Sequence, residues 1–233
     1  MIDSTRLIGL LLGLPLFMFA LTVHEVAHGW VARKFGDPTA EQEGRLTLNP
    51  LAHLDPMGTL MFVISSLAGF GFGWAKPVPV RLGNAREPLK AMWWVSLAGP
   101  LSNLLQAAVA LLVLVLMRLA AWPVIESLAL VMSAGLGALV MGGAPLQVIL
   151  PALVSYYLII NLVLMLFNLL PIPPLDGGHA LMSVVGWRGA QFLARLAPYG
   201  FIIVLALMYF GVTEWWIGWP LKQVYFWLVG LLA

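Results

Sequence analysis

The chain contains no cysteine, and only 9% of its 233 residues are charged. The absence of cysteine excludes disulfide bonds, thiolate metal sites and cysteine nucleophiles. Soluble globular domains carry about 25% charged residues, so this sequence lacks the polar side chains needed to cover a surface in water. Hydrophobic residues make up 61% of the chain instead. The composition therefore indicates an integral membrane protein, and the small net charge of +2 does not point to nucleic-acid binding.

Long apolar runs predict an all-α polytopic membrane protein with about five to six transmembrane helices. A bilayer core of roughly 30 Å needs about 20 apolar residues in a helix. We take 1–233 as a single intramembrane domain, because the polar stretches between the runs are too short for an appended soluble domain. Its segments are the core 7–34, 91–118 and 146–186, a re-entrant or spanning segment at 57–75, a short Gly-rich segment at 127–141, and C-terminal helices within 197–233.

The positions of the basic residues favour a re-entrant path for 57–75. If this segment crossed the bilayer fully, the basic residues after it would lie opposite those before it. If it is re-entrant, all of them share one face, which agrees with the tendency of Lys and Arg to collect on the cytoplasmic side. These residues are Arg33, Lys34, Arg45, Lys76, Arg81, Arg86 and Lys90.

The first apolar run contains the sequence HEVAH at residues 24–28. At 3.6 residues per turn, His24 and His28 project from one helix face, and Glu25 is offset by about 100°. This is the HExxH geometry, in which two histidines bind zinc and the glutamate is a general base. The alternative is two buried histidines that neighbouring helices satisfy, but intramembrane ionisable residues usually serve function. At about 1.5 Å per residue, His24 lies about 14 Å inside the boundary marked by Arg33.

A third ligand must come from elsewhere, because catalytic zinc usually has three protein ligands. Asp176 stands out, since it lies in NLLPIPPLDGG at 168–178, where prolines and glycines prevent a regular helix. Non-helical backbone at membrane depth is tolerated only inside protein or beside a water-filled cavity, which a hydrolytic site in lipid requires. An interfacial turn capped by Asp176 is the alternative, and His179 is a rival ligand. The remaining candidates are Asp3, Asp37, His53 and Asp55.

Together these motifs resemble the site-2 protease family of intramembrane zinc metalloproteases. HEVAH in a first membrane helix is followed by AGPLSN at 98–103 and by the pattern NxxPxxxxDG at 168–177. The sequences GRLTLNP at 44–50 and GWAKPVPV at 73–80 resemble the compact bacterial branch of the family, which lacks a PDZ domain.

The resemblance implies a site and a reaction. His24, His28 and Asp176 would bind one Zn²⁺ per chain, Glu25 would be the catalytic acid and base, and Asn168 would line the active site beside the substrate. The implied activity is hydrolysis of peptide bonds in or near transmembrane segments of membrane-protein substrates, that is, regulated intramembrane proteolysis. The expected surroundings are membrane lipid, without nucleic acid, in the inner membrane of a bacterial cell.

Several roles stay open at this point. Asn168 could instead be a helix-packing amide, and Asn103 could serve either interhelical bonding or catalysis. The alternating segment 45–50 and the proline-containing segment 76–81 predict short β-strands, which could pair with an extended substrate or simply brace the helices. A membrane metal-ion transporter and an inactive family member acting as a binding scaffold are the alternative functions. The lack of repeated halves disfavours the first, and the complete motif set disfavours the second.

Overall fold

A computed structural model of the protein describes residues 4–68 and 71–232. The described residues form ten α-helices and no β-strand, so the prediction of an all-α polytopic membrane protein is confirmed. The helices are α1 (Ser4–Lys34), α2 (Thr39–Gln42), α3 (Pro56–Ala68), α4 (Pro88–Leu119), α5 (Val124–Met141), α6 (Leu146–Asn168), α7 (Asp176–Val184), α8 (Gly186–Leu196), α9 (Gly200–Tyr209) and α10 (Trp219–Leu232).

Five helical stretches among the described residues have the length and apolar composition to cross a membrane. They are α1, α4, α5, α6 and the run Gly186–Tyr209, which contains α8 and α9. The C-terminal α10 packs beside them, since Leu228 and Leu232 join the core formed by α4, α5 and α6. Arg118 Nε at the end of α4 donates to the carbonyl of Leu232 at 2.6 Å. The last turn of α10 therefore lies at the same face of the bundle as the end of α4.

The helices α4 and α6 are antiparallel, and this fixes the path of α5 between them. Asn103 on α4 donates to Asn161 on α6 at 2.9 Å. Tyr157, one turn before Asn161 on α6, donates to Gln106, which lies about one turn after Asn103 on α4, so the two helices run in opposite directions. From the level of the Asn103–Asn161 bond, α4 continues for about 24 Å to its end, and α6 starts about 22 Å away in that same direction, at ~1.5 Å per residue. Both ends of α5 therefore lie on one face of the membrane, although α5 is long enough to span. Its helix is broken at Gly135, whose φ of +78° suits glycine.

The segment that contains α3 also starts and ends on one side of the membrane. With 13 residues, α3 is about 20 Å long, which is shorter than a bilayer core. After it the chain comes back to the start of α3, because a Cβ on Gly58 would lie 2.1 Å from the Trp74 carbonyl oxygen. The N–H of Lys76 then donates to the His53 carbonyl at 2.9 Å. This geometry agrees with the re-entrant path that the basic residues favour.

The short β-strands predicted at 45–50 and 76–81 are not formed. Both segments lack regular secondary structure up to the helical turns that follow them. Pro77 and Pro79 have no N–H, so 76–81 cannot form a continuous ladder. The N–H groups beside the prolines are used elsewhere: Lys76, before Pro77, donates to the His53 carbonyl, and Val78, between the two prolines, donates to the carboxylate of Glu25. The prediction failed because these donors bind α1 and a neighbouring turn rather than a second strand.

Candidate metal centre

A glycine lets α4 lie directly against the two histidines of α1. A Cβ built on Gly99 would lie 2.4 Å from His28 Nε2 and 2.5 Å from His24 Nε2. Such distances are far below van der Waals contact, so no other residue fits here without displacing the imidazoles. Pro100 follows within the helix and is itself fully buried. The AGP sequence therefore permits the close approach of α1 and α4 at this level.

Three ligand atoms converge at this point of the bundle. His24 Nε2 lies 3.0 Å from His28 Nε2 and 3.1 Å from Asp176 Oδ2, and His28 Nε2 lies 3.4 Å from Asp176 Oδ1. Among the described residues, these three form the group of His and acidic side chains that could hold a metal ion. The structure thus brings together the three residues that the sequence motifs predict as ligands.

The outer nitrogen of each histidine has an acceptor. His24 Nδ1 lies 2.6 Å from Asn103 Oδ1, and His28 Nδ1 lies 2.7 Å from the carbonyl of Val95. Carbonyl oxygens only accept hydrogen bonds, so both Nδ1 atoms carry the proton. In the neutral rings both Nε2 atoms are then unprotonated and present lone pairs to one another, an arrangement that a shared cation stabilises.

The tautomer of a neutral His24 is set by a chain of amides that connects three helices. The carbonyl of Tyr157 can only accept, so it orients the Asn161 Nδ2 donor, which lies 2.9 Å away. Asn161 Oδ1 then accepts from Asn103 Nδ2, and Asn103 Oδ1 accepts from His24 Nδ1. Both asparagines are fully buried, so water does not compete for these bonds. The network therefore leaves the lone pair of His24 Nε2 facing His28 and Asp176.

Asp176 reaches the histidines through a tightly folded turn after α6. A Cβ on Gly177 would lie 2.4 Å from the Leu169 carbonyl oxygen, and one on Gly178 would lie 2.2 Å from Pro173 N. The two glycines therefore allow the start of α7 to pack against the end of α6. The peptide bond between Pro173 and Pro174 is cis. This packing places Asp176, the first residue of α7, beside α1.

The donor set fits zinc. Asp176 Oδ2 is buried without a hydrogen bond, although it lies 3.1 Å from His24 Nε2. Two atoms that face each other without a shared hydrogen suit two ligands of one ion. Zinc–ligand bonds of about 2.0–2.2 Å in a tetrahedron separate neighbouring ligand atoms by about 3.3–3.6 Å. The observed 3.0–3.4 Å comes close to this spacing, and two imidazoles with one carboxylate form a common catalytic zinc set.

Glu25 and Asn168 lie beside this group without joining it. Glu25 Oε2 accepts from the Val78 N–H at 2.8 Å, which holds the carboxylate at the edge of a cavity of about 400 Å³. Asn168 lines the same cavity, and its Nδ2 donates to the Leu164 carbonyl of its own helix at 3.0 Å. Both side chains are therefore placed next to the space where a substrate could meet the ligands.

The rival ligands lie elsewhere or remain outside the group. His179 lines the cavity but is not among the converging residues. Asp55 accepts from the Gly58 N–H at the start of α3 at 2.7 Å, and buried His53 bonds the Thr47 carbonyl at 2.9 Å. Asp3 lies outside the described residues.

Asp37 joins the ends of two loops rather than the metal centre. Burial alone would raise the pKa of Asp37, but hydrogen bonds from Thr39 and from the Arg81 N–H outweigh burial and hold this pKa below its ordinary value. Its carboxylate accepts from the Thr39 N–H at 3.0 Å and from the Arg81 N–H. Asp37 is therefore a structural anion that fixes the end of the segment 76–81.

Sequence reasoning left the role of Asn103 open between interhelical bonding and catalysis, and it gave Asn161 no role in the site. The structure places both in the network that ends on His24. The available signal was the presence of amides inside apolar helices, where a polar side chain must find a partner on another helix.

A polytopic helical membrane protein with a His-His-Asp centre is the class that the fold and site define. The chain belongs to Peptidase family M50, whose profile matches residues 12–211. This is the site-2 protease family of metalloproteases, as the motifs indicate.

Relatives that bear the name "Putative zinc metalloprotease" agree with this membership. The chain is 40% identical to YwhC of Bacillus subtilis over 188 residues, which are 81% of this chain and 75% of YwhC. It is 32% identical to Rip2 of Mycolicibacterium smegmatis over 203 residues, covering 86% of this chain and 67% of Rip2. Rip2 of Mycobacterium tuberculosis is 30% identical over 212 residues, covering 85% and 70%. No solved structure matches the chain.

Proposed function

We propose that this protein is an intramembrane zinc endopeptidase that hydrolyses peptide bonds in or near transmembrane segments of other membrane proteins. The observation that carries the proposal is the convergence of His24, His28 and Asp176, with Glu25 at the edge of the adjoining cavity. Family membership and the names of the relatives support a zinc metalloprotease. The cell membrane of a bacterium is the proposed location, with one Zn²⁺ per chain.

The proposed chemistry divides between the ligands and Glu25. Zinc, when bound, supplies a Lewis acid that makes water nucleophilic near neutral pH and polarises the scissile carbonyl. Glu25 takes the proton from the attacking water as the new carbon–oxygen bond forms. As the carbon–nitrogen bond breaks, Glu25 returns that proton to the leaving amine. Asn168 Nδ2 turns from the Leu164 carbonyl and donates to the substrate carbonyl oxygen as negative charge develops there.

The substrate is proposed to enter from the lipid through adjoining apolar cavities. One, of about 240 Å³, is lined by Glu25 and continues past Phe72 and Gly73. A second, of about 500 Å³, also includes Phe72 and Gly73 in its lining and extends toward α10. A substrate segment in extended conformation suits this route better than an α-helix, because an α-helix with its side chains is about 10–12 Å wide. Helix-weakening residues near the scissile bond are therefore expected in substrates.

The test is a comparison of wild type, Glu25→Gln and Glu87→Gln in the same cells. Glu87 is exposed and pairs with Lys90 at the protein surface, so it serves as the charge-matched control. Mass spectrometry of membrane proteins should reveal substrates that accumulate uncut only with Glu25→Gln. Zinc content should be unchanged in this variant, because Glu25 is not a ligand. Full biological activity of Glu25→Gln would favour the inactive scaffold, and His24-dependent zinc flux into liposomes would favour the transporter.

A further inference from the structure

The helix α8 lies at the face of the membrane where basic residues collect. It follows α7 after a single residue, Val185. Asp176 and His179, on the first turn of α7, line one cavity with Met92 and Val95 on the first turns of α4. The segment before α4 is joined to the end of α1, since the Arg86 N–H donates to the Phe35 carbonyl at 3.2 Å. α8 therefore starts near the ends of α1 and α4 that carry the basic residues.

The residues of α8 are arranged as on a helix that lies in an interface. At 100° per residue, Arg188, Gln191 and Arg195 fall within an arc of about 60°. Trp187 and Phe192 lie on the two sides of this arc and are 77% and 63% exposed. None of the residues of α8 is buried. An exposed polar arc with large aromatic residues at both edges is typical of helices at the boundary between headgroups and acyl chains.

The charge of this region is of one sign. Residues 177–213 contain Arg188 and Arg195 and no acidic residue. Within the described part of the chain, neither arginine takes part in a salt bridge. Guanidinium groups bind phosphate through paired hydrogen bonds, so both are available for anionic headgroups.

We propose that α8 lies in the plane of the bilayer interface and binds anionic phospholipid headgroups through Arg188 and Arg195. Trp187 and Phe192 then insert at the level of the headgroup–acyl boundary. The bilayer is the occupant that the connections favour, because the chain enters α8 from α7, beside the intramembrane centre, and leaves it toward the apolar α9. Within the run Gly186–Tyr209, the 3₁₀ turn Ala197–Tyr199 separates α8 from α9. Only α9 then continues into the membrane, where a Cβ on Gly200 would lie 2.0 Å from the Pro173 carbonyl oxygen.

The depth of α8 is measurable because the chain contains no cysteine of its own. Phe192→Cys and Gln191→Cys give single attachment points for a fluorophore on the full chain in liposomes of phosphatidylcholine and phosphatidylglycerol. We expect brominated lipids to quench the label at 192 and aqueous iodide to quench the label at 191. Quenching of both labels by iodide alone would place α8 in water, and protection of the label at 192 from both quenchers would indicate a protein partner. Either result overturns the proposal.

Headgroup selectivity is tested by removing the two charges. The purified protein is mixed with equal amounts of phosphatidylglycerol and phosphatidylcholine, and the retained lipids are counted by native mass spectrometry. Wild type should retain phosphatidylglycerol in preference, and the Arg188→Gln/Arg195→Gln variant should lose this preference several-fold. The Arg86→Gln/Lys222→Gln variant, which loses the same charge elsewhere, should keep it. Equal preference in wild type and the α8 variant would overturn the proposal.

Discussion

Replacement of Asn103 by leucine should weaken zinc binding, although Asn103 is not itself one of the three proposed zinc ligands. Asn103 Oδ1 is the acceptor for His24 Nδ1 at 2.6 Å, and leucine has a similar size but no polar atom. Because Asn103 is fully buried and His24 is 3% exposed, water does not replace the lost acceptor. His24 is then free to rotate or to move its proton to Nε2, the nitrogen that faces the other ligands.

The size of the effect follows from the two groups that lose a partner. An unsatisfied buried polar group costs about 1–3 kcal/mol. The cost at His24 falls on zinc binding, because the proton on Nδ1 is needed only while Nε2 is a ligand. Loss of such outer contacts typically lowers metal affinity about 10–100-fold, or about 1.4–2.8 kcal/mol. Asn161 Oδ1 loses the hydrogen bond from Asn103 Nδ2 whether or not zinc is bound. This second cost should therefore lower the thermal stability of the protein and not its zinc affinity.

The assay is a zinc titration against a chelator of known affinity, using purified protein in detergent. Gln106→Leu is the control, since Gln106 also lies on α4 and bonds Tyr157 on α6, yet it does not contact a histidine. Asn103→Asp keeps an acceptor for His24 and should retain zinc affinity while losing the bond to Asn161. An Asn103→Leu variant whose zinc affinity lies within twofold of wild type would refute the proposed role of the network.

Two further predictions concern α4 and the loop anion. Gly99→Ala should lower both the zinc affinity and the melting temperature, because the added Cβ would lie 2.4 Å from His28 Nε2. Overpacking of this kind typically costs about 1–3 kcal/mol. A zinc titration and a thermal melt measure the two effects, and unchanged values in both would contradict the prediction. The pKa of Asp37 is lower in the folded protein, so its stabilisation is present above its ordinary pKa of 3.8 and is lost as pH falls through the folded value. Thermal melts between pH 7 and 3 should therefore show a smaller acid destabilisation for Asp37→Asn than for wild type, and identical acid profiles would exclude this contribution.

Local periodicity was enough to predict the part of the site on α1. The four-residue spacing of His24 and His28 puts both rings on one face of any helix, whatever surrounds it. The segment around Asp176 was also recognisable, since three prolines and two glycines near it do not form a regular span. These features depend on covalent geometry and on the absence of water in lipid.

Features that depend on neighbouring helices were not predictable from local pattern. The spacing of Asp176 and His179 suits one helical face, yet only Asp176 joins the converging group. The strand predicted at 76–81 did not form, because Val78 donates to Glu25 on a helix some fifty residues earlier in the chain. That both ends of α5 lie on one face of the membrane likewise becomes visible only once the antiparallel pairing of α4 with α6 is known.

The most direct test of the central claim is zinc content together with zinc-edge X-ray absorption on the purified protein. We predict one zinc per chain, bound by two imidazole nitrogens and a carboxylate oxygen at about 2.0–2.2 Å. Asp176→Ala should lose the carboxylate contribution and bind zinc more weakly, whereas Asp55→Ala, which removes a helix-capping carboxylate, should leave the spectrum unchanged. Protein without zinc, or an Asp176→Ala spectrum identical to that of wild type, would contradict the account.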